Sequence, residues 1–162
     1  MTARRRVLIT GASAGIGAEL ARVFAENGHD LVLVARREDK LRELAASLVP
    51  AGVDVATLAQ DLAQASAGER LVAALDARRL PIDVLVNNAG IAYGGSFAKM
   101  STSTAHDLVQ LNVAALVDLT QRLLPGMLTR GFGRILNVAS LSAFQPVPMM
   151  SLYAASKAFV LS

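Results

Sequence analysis

Short apolar runs alternate with longer segments of helical periodicity along this chain. The apolar runs are rich in Val, Leu and Ile and show no clean alternation of apolar and polar residues, which is typical of strands buried on both faces. They predict five strands, at Val7–Thr10, Leu31–Ala35, Val53–Ala59, Val84–Val86 and Arg134–Ala139. Apolar residues at helical spacing predict helices over Gly17–Asn27, Glu38–Leu48, Ser66–Arg79 and Thr102–Arg130.

This order of elements predicts the α/β class. Strands that are linked by helices form a parallel sheet with right-handed crossovers, and the helices cover both faces of the sheet. Gly28, Gly52 and Gly131 stand where three of the helical segments are predicted to end. Because the chain has no repeat, low-complexity tract or linker, residues 1–162 are predicted to form a single domain.

Composition narrows the class of protein further. Hydrophobic residues make up 53% of the chain and charged residues 18%, which excludes a disordered chain. The absence of cysteine excludes disulfides and thiolate metal sites, and it suits a reducing compartment, so we expect a cytoplasmic protein. His29 and His106 are the only histidines, which disfavours a histidine metal site or a Ser-His-Asp triad, and we expect no metal.

Charge and hydropathy argue against two classes of partner. The formal net charge is +3, but the arginines are scattered and aromatic residues make up only 4%, which is not the pattern of a nucleic-acid binder. No apolar run approaches the roughly 20 residues that a membrane-spanning helix needs. Val7–Ile9 follows the basic Arg4–Arg6, but this apolar run is too short for a signal peptide.

A glycine-rich turn joins the first predicted strand to the first helix. Its sequence, Thr10-Gly11-Ala12-Ser13-Ala14-Gly15-Ile16-Gly17, has the spacing G-x-x-x-G-x-G. Gly11 allows a sharp turn, Gly15 lets a pyrophosphate approach the backbone, and Gly17 allows close packing of the helix. The free N–H groups at the helix N-terminus then favour phosphate. The alternative is a tight turn without a ligand.

The second predicted strand ends at Ala35-Arg36-Arg37, where an acidic residue would select NAD. Arg36 is suited to pair with a 2′-phosphate and to stack on adenine. The alternative is a pair of solvated arginines before a charged helix.

Polar residues follow the later strands or interrupt an apolar helix. Asp61 is a candidate acceptor from an adenine amino group or, equally, a helix N-cap. Asn87-Asn88-Ala89-Gly90 ends the fourth strand, where a small Ala89-Gly90 admits a cofactor and the asparagines alternatively form an Asx turn. Asn112 is predicted to belong to a core network or a bound-water relay. Ser140 lies at the carboxyl edge of the sheet, where ligands bind, or is a loop serine.

Tyr153 and Lys157 stand four residues apart, so on a helix both side chains leave one face. An ammonium near a phenol stabilises the phenolate and lowers the phenol pKa, which makes a general acid or base. By itself this spacing is more often an ordinary surface pair.

These motifs together resemble the classical short-chain dehydrogenase/reductase family. The glycine turn, Asp61, Asn87–Gly90, Asn112, Ser140 and the Tyr153–Lys157 pair occur in the order of that family, and Ser140 precedes Tyr153 by 13 residues, the spacing of classical members. The resemblance implies a Rossmann-type, doubly wound parallel sheet with strand order 3-2-1-4-5. It also implies hydride transfer between NADP(H) and a carbonyl compound or alcohol, with NAD(H) the less favoured cofactor because Arg36 matches a basic position of NADP-preferring members.

The resemblance also assigns roles. Tyr153 is the general acid or base, Lys157 lowers its pKa and binds the nicotinamide ribose, Ser140 positions the substrate oxygen, and Asn112 holds a water. The residues implied to bind cofactor are Thr10, Gly11, Ser13, Gly15, Ile16, Gly17, Arg36, Asp61, Leu62, Asn88, Ala89, Gly90, Tyr153 and Lys157. A second basic residue, often found inside the glycine turn, is missing, since Ser13-Ala14 stands there.

Family members continue beyond the catalytic helix, so we expect a chain that is incomplete at Ser162, lacks the last strands of the family and has doubtful activity by itself. The rival function is a dinucleotide-binding module without turnover, and a weaker one is an interaction protein. A homodimer or homotetramer is implied for the whole protein. An apolar loop, Phe144–Met150, indicates an apolar substrate or, alternatively, packing on other structure.

Overall fold

The structure, a computed structural model, describes residues 4–162. Its centre is one five-stranded sheet in the order β3-β2-β1-β4-β5, and each neighbouring pair is parallel. The predicted fold class and strand order are therefore confirmed. The strands are β1 Arg6–Thr10, β2 Asp30–Ala35, β3 Val55–Ala59, β4 Val84–Asn87 and β5 Arg134–Asn137.

Within residues 4–162, six α-helices lie around the sheet, and the four predicted helical segments begin and end within two residues of the observed bounds. The observed helices are α1 Gly15–Glu26, α2 Glu38–Leu48, α3 Ala67–Ala77, α4 Thr102–Val109, α5 Ala115–Thr129 and α6 Ser151–Leu161. The predicted single helix Thr102–Arg130 is helical throughout but is divided, because a π-helical segment, Gln110–Ala114, separates α4 from α5. Apolar periodicity does not reveal such a segment, since it changes the hydrogen-bond partners and not the residue types.

Two apolar clusters cover the two faces of the sheet. Val7 and Ile9 of β1 belong to one cluster, with residues of α1 and α2. Leu8 belongs to the other, with residues of α3 and α5. Successive side chains of a strand point to opposite faces, so a strand covered on both sides needs a continuous apolar run. Because all five strands run parallel, their carboxyl ends lie together at one edge of the sheet.

The two edge strands depart from the buried pattern predicted for all five. Every residue of β5 is exposed, and in β3 only Leu58 is buried. Among the described residues β5 pairs only with β4 and β3 only with β2. At the helix ends, Gly28, Gly52 and Gly131 all have positive φ angles, of 75°, 66° and 66°, which confirms their predicted place as C-terminal glycines. Across residues 4–162, we find no helix with the length and apolar character needed to cross a bilayer.

A partly buried acid holds the amino edge of the sheet. Asp83, just before β4, accepts a hydrogen bond from the backbone N–H of Arg6 at 3.0 Å. Its other carboxylate oxygen lies 3.6 Å from Nε of Arg130 and 4.0 Å from Nη1 of Arg5. One side chain therefore joins β1, β4 and the end of α5.

Replacing Asp83 with Ala is expected to lower the free energy of unfolding by about 1–3 kcal/mol, because the N–H of Arg6 loses its partner in a part-buried place. Asp83→Asn keeps an acceptor for the N–H of Arg6 and is expected to lower the free energy of unfolding by less. Glu43→Ala is the control, since its ion pair with Lys40 is exposed and such pairs contribute little. Denaturant unfolding measures all three. An Asp83→Ala effect no larger than that of Glu43→Ala would contradict this role.

Candidate active site

The glycine turn between β1 and α1 has a backbone that only glycine accommodates easily. Gly11 and Gly15 have φ angles of +67° and +57°, in the left-handed region that side chains rarely adopt. A Cβ on Gly17 would lie 2.5 Å from the carbonyl oxygen of Gly11, so the helix packs directly on the turn. Beside Gly15 the space is open, because a Cβ there would meet no atom of the described residues 4–162 within 4 Å.

Helix α1 begins at Gly15, two residues earlier than predicted, so its first turn is part of the glycine turn. That first turn has no side-chain cap and no acidic residue. Its N–H groups therefore remain available to an anion.

Thr10 and Asn88 fasten the glycine turn to the end of β4. The buried Thr10 hydroxyl donates to the carbonyl of Val86 at 3.1 Å and accepts from the N–H groups of Asn88 and Ala89, both at 3.0 Å. The Asn88 amide donates to the carbonyl of Thr10 at 2.8 Å. Thr10 thus links the start of the glycine turn to the end of β4. The Asn88 side chain bonds the backbone of Thr10 at the end of β1 instead of forming an Asx turn with the residues that follow it.

A cavity of about 380 Å³ lies at this carboxyl edge, between the ends of β1, β2 and β4. Most of the residues that the sequence assigns to cofactor binding line it, namely Gly11, Ser13, Ile16, Arg36, Asp61, Leu62, Asn88, Ala89 and Gly90. Sequence reasoning missed others in its wall, which are Ala14, Val34, Ala35, Arg37, Gln60, Ile91 and Leu111.

The charged groups in the wall differ in how they are held. Arg36 is exposed, and within residues 4–162 its guanidinium makes no hydrogen bond or ion pair. The Asp61 carboxylate accepts from the N–H of Ala63 at 3.0 Å. The alternative of Asp61 as the N-cap of the next helix is wrong, because α3 begins only at Ala67 and Ser66 occupies its N-cap position.

Asn112 lies in the π-helical segment and connects three elements. Its amide oxygen accepts from the N–H of Ile91 at 2.9 Å, and its amide nitrogen donates to the carbonyl of Ile91 at 2.9 Å and to Oγ of Ser156 at 3.0 Å. Both amide N–H donors are therefore occupied, which is the predicted core network. The water relay stays a prediction.

Ser156, which the sequence reasoning did not single out, is the link between Asn112 and the tyrosine. It is buried, and its hydroxyl donates to the backbone carbonyl of Tyr153 at 2.7 Å. Asn112 therefore fixes the first turns of α6 relative to the loop after β4. A small buried serine inside an otherwise ordinary helical stretch carries no sequence signal for such a contact.

Lys157 points from α6 to the strand ends. Its ammonium donates to the carbonyl of Val138, just after β5, at 2.7 Å. A Cβ on Gly90 would lie 3.5 Å from Nζ of Lys157, and Gly90 lines the cavity. Burial lowers the pKa of the Lys157 ammonium, because a charged group loses hydration there. The structure therefore places a buried cation beside the cavity.

The hydroxyls of Ser140 and Tyr153 make no hydrogen bond to Lys157 within residues 4–162. The Ser140 hydroxyl accepts from the N–H of Ser142 at 3.2 Å and donates to its hydroxyl at 3.3 Å. Tyr153 is half-buried, and in the described part of the chain its hydroxyl has no hydrogen-bond partner. The Tyr153 hydroxyl is therefore available to bond a ligand. The Ser140 hydroxyl is available as well, because its hydrogen bond to Ser142 is long. Their catalytic roles stay predictions.

The apolar loop before α6 is largely exposed, with Phe144 at 70% and Met149 at 59% of their full exposure. A backbone hydrogen bond of 2.8 Å from Gly95 to Met149 joins it to the loop after β4. The two loops therefore lie side by side next to the start of α6.

Comparison with known proteins identifies a family that matches nearly the whole chain. The family model of the short chain dehydrogenases matches residues 5–162. The NADP-dependent 3-hydroxy acid dehydrogenase YdfG of Salmonella typhi is 40% identical over 155 residues, which cover 95% of this chain and 61% of the relative. The ketoacyl reductase HetN of a Nostoc species is 38% identical over 154 residues, covering 95% of this chain and 54% of the relative.

Among solved structures, the short-chain dehydrogenase from Sphingobium yanoikuyae in complex with NADPH superimposes with a TM-score of 0.89. It is 44% identical, and the match covers 97% of this chain and 62% of that one. The chain thus spans about three fifths of the length of the proteins it matches. Since the family model extends over essentially all described residues, this chain belongs to the short-chain dehydrogenase family.

Proposed function

We propose that this protein is an NADP(H)-dependent oxidoreductase that interconverts a carbonyl compound and a secondary alcohol. The observation that carries the proposal is the adjacency of two features. A cavity is walled by the first turn of α1, which has no side-chain cap, and by the exposed Arg36. The ammonium of the buried Lys157 lies close to Gly90 of the same cavity, and Lys157 belongs to the helix that bears Tyr153. Relatives named as NADP-dependent or solved with NADPH support the choice of cofactor.

The residues present fit a dinucleotide phosphate. The left-handed backbone at Gly11 and Gly15 opens the turn toward phosphate oxygens, and the first N–H groups of α1 have no competing cap. At the end of β2 the cavity wall carries Arg36 and Arg37 and no carboxylate. A cationic wall favours a 2′-phosphate, whereas an acidic side chain would favour a free ribose hydroxyl. Asp61 remains the proposed acceptor from the adenine amino group.

When bound, a nicotinamide supplies a hydride in the reducing direction and accepts one in the oxidising direction. Tyr153 delivers the proton of its hydroxyl to the carbonyl oxygen during reduction and takes one from the alcohol during oxidation. The Lys157 ammonium stabilises the phenolate that remains. Ser140 turns its donor hydrogen from Ser142 to the substrate oxygen, and Asn112 holds α6 in place through Ser156.

The test uses the protein at its natural length. Nucleotide titration compares NADPH with NADH, and loss of the reduced-nicotinamide absorbance is then followed with a panel of ketones and β-keto esters. The panel follows from relatives named as 3-hydroxy acid dehydrogenase and ketoacyl reductase and from the apolar Phe144–Met150 loop. NADPH oxidation with any member supports the proposal. Tight nucleotide binding without turnover across the panel favours the binding module, and no nucleotide binding contradicts both.

Replacing Arg36 with Asp is expected to weaken NADPH binding by roughly ten- to hundredfold, the equivalent of one charge-assisted hydrogen bond of about 1.5–3 kcal/mol. NADH binding should improve, because a carboxylate accepts from a ribose hydroxyl. Arg42→Asp is the matched control: it makes the same change of charge on α2, where Arg42 pairs with Glu38 outside the cavity. Equal losses in the two variants would show that Arg36 acts only through overall charge.

A further inference from the structure

Two asparagines lie opposite each other where β4 and β5 end. Asn87 and Asn137 are the last residues of these strands and are paired in register, although asparagine is depleted in strands. Leu85, two residues before Asn87, packs in the apolar cluster with residues of α3 and α5, so the side chain of Asn87 points to the same face. Residues that oppose local preference are commonly retained for a functional reason.

The two side-chain amides are bonded to each other and to α5. Nδ2 of the buried Asn87 donates to Oδ1 of Asn137 at 2.9 Å and to Oγ1 of Thr120 at 3.2 Å. Both N–H groups of this amide are therefore used. Because Thr120 belongs to α5, one buried side chain fastens the ends of two strands to the helix that covers them.

The residue that follows this pair carries the contact with Lys157. The N–H of Val138 donates to the backbone carbonyl of Asn87 at 2.9 Å, and the carbonyl of Val138 accepts from Nζ of Lys157 at 2.7 Å. Only two soft dihedral angles separate the N–H and the carbonyl of one residue. The position of Asn137 therefore largely decides where the Val138 carbonyl lies.

The ammonium of Lys157 depends on that carbonyl. Within residues 4–162 it is the one hydrogen-bond acceptor that the ammonium has, and the side chain is buried. Burial lowers the pKa of Lys157, and no charged neighbour among these residues opposes that change. A buried charge without a partner is costly, so the ammonium stays where its acceptor holds it.

Strand β5 by itself gives the carbonyl little support. It has only four residues, all of them exposed, and among the described residues it pairs only with β4. Backbone hydrogen bonds that are exposed to solvent at the end of an element open at low cost. The bond between Asn87 and Asn137 adds a side-chain contact at the pair of residues that directly precedes Val138.

We propose that Asn137 is a positioning residue for the reaction, which holds the end of β5 through Asn87 so that the Val138 carbonyl fixes the Lys157 ammonium beside the cavity. This inference rests on the proposed function, in which that ammonium stabilises the phenolate of Tyr153. Asn137 needs no contact with cofactor or substrate, because it acts through the Val138 carbonyl.

A double-mutant cycle in the natural-length protein tests this role. Asn137→Ala removes the acceptor that pairs with Asn87 and is expected to lower kcat for NADPH-dependent ketone reduction by about tenfold, between the effect of one hydrogen bond and that of a misplaced catalytic group. In a Lys157→Met background the same substitution is expected to change kcat by less than about twofold, because no ammonium is left to position. A purely structural role predicts the same loss in both backgrounds.

The pH profile gives an independent measurement. When the ammonium is displaced, the phenolate of Tyr153 loses stabilisation. The rise of kcat/KM with pH during alcohol oxidation follows formation of that phenolate, so it is expected to shift to higher pH in Asn137→Ala. Asn27→Ala is the matched control, since Asn27 donates to the carbonyl of Val23 at the end of α1, and it should leave kcat and the profile unchanged.

A second variant covers the case in which Asn137→Ala does not fold. Asn137→Val also lacks the acceptor but suits a strand, and it replaces Asn137→Ala if circular dichroism shows that variant to be unfolded. An equal loss of kcat with and without Lys157, or an unchanged kcat and pH profile, overturns the inference and leaves the proposed function standing. Unfolding of both variants would assign Asn137 to folding and overturn it as well. Absence of NADPH oxidation by the unsubstituted protein removes the proposed function itself.

Discussion

Replacing Tyr153 with Phe is expected to lower turnover by about 10²–10⁴-fold, the usual contribution of a general acid or base, with nucleotide affinity nearly unchanged. The change removes one oxygen atom whose hydrogen bonds are not needed for folding, since the Tyr153 hydroxyl has no partner in the described part of the chain. The backbone of Tyr153 stays fixed, because Ser156 bonds its carbonyl and not its side chain.

The chain offers a matched control for this variant. Tyr93 is the only other tyrosine, and it lies in the loop after β4, against Gly95. Tyr93→Phe makes the same chemical change in that loop and not on α6, and it is expected to keep most of the turnover. Initial rates of NADPH oxidation, with nucleotide affinity measured in parallel, decide the matter. If Tyr153→Phe retained more than about a tenth of the rate, Tyr153 would not be the acid.

Replacing Lys157 with Met is expected to reduce turnover by at least about 10²-fold and also to weaken nucleotide binding. Methionine keeps most of the length and apolar contact of the side chain but loses the ammonium that donates to Val138. The phenolate of Tyr153 loses its stabilising charge, and the cavity loses the cation next to Gly90. Loss of rate with unchanged nucleotide affinity would show that Lys157 does not contact the cofactor.

The same variant gives a prediction for stability against pH. Burial lowers the pKa of Lys157 below the usual value of 10.5, so the native state releases this proton before the unfolded state does. Stability rises with pH wherever the unfolded state binds more protons. The unsubstituted protein is therefore expected to gain stability relative to Lys157→Met as the pH increases toward 10.5.

Urea unfolding of both proteins over the alkaline range measures this difference. Lys40 is the control, because its pKa is raised, chiefly by a hydrogen bond from its ammonium to Glu43, and it lies on the surface. Any contribution of Lys40 to the free energy of unfolding must decline as the pH rises, whereas the contribution of Lys157 is expected to increase. A stability difference for Lys157→Met that does not change with pH would contradict the buried-cation account.

Local pattern was sufficient for the sheet and for much of the candidate site. The strands around Leu8, Val32 and Leu85 are recognisable because a strand covered on both faces must be apolar at every position. The glycine turn is recognisable because Gly11 and Gly15 require a backbone that other residues avoid. The spacing of Tyr153 and Lys157 follows from the repeat of a single helix.

Local sequence pattern did not predict the contacts between distant parts of the chain. The sequence allowed Asp61 to be a helix cap, and only the position of Ala67 in α3 excluded it. The π-helical segment around Asn112 leaves no trace in apolar periodicity. Ser156 became visible as a positioning residue only when its bonds to Asn112 and to the Tyr153 carbonyl were seen.

By itself, then, the sequence determined the α/β class, the glycine turn and the helical pairing of Tyr153 with Lys157, and the family resemblance of its motifs implied the strand order. The tertiary structure decided which groups share the carboxyl edge: Lys157 with the carbonyl of Val138, Asn112 with Ile91, and Arg37 with Ser13, 24 residues away. The physical reason is the range of the interactions. Periodicity and turn chemistry record constraints within a few residues, whereas these contacts depend on how the strands register and how the helices pack on the sheet.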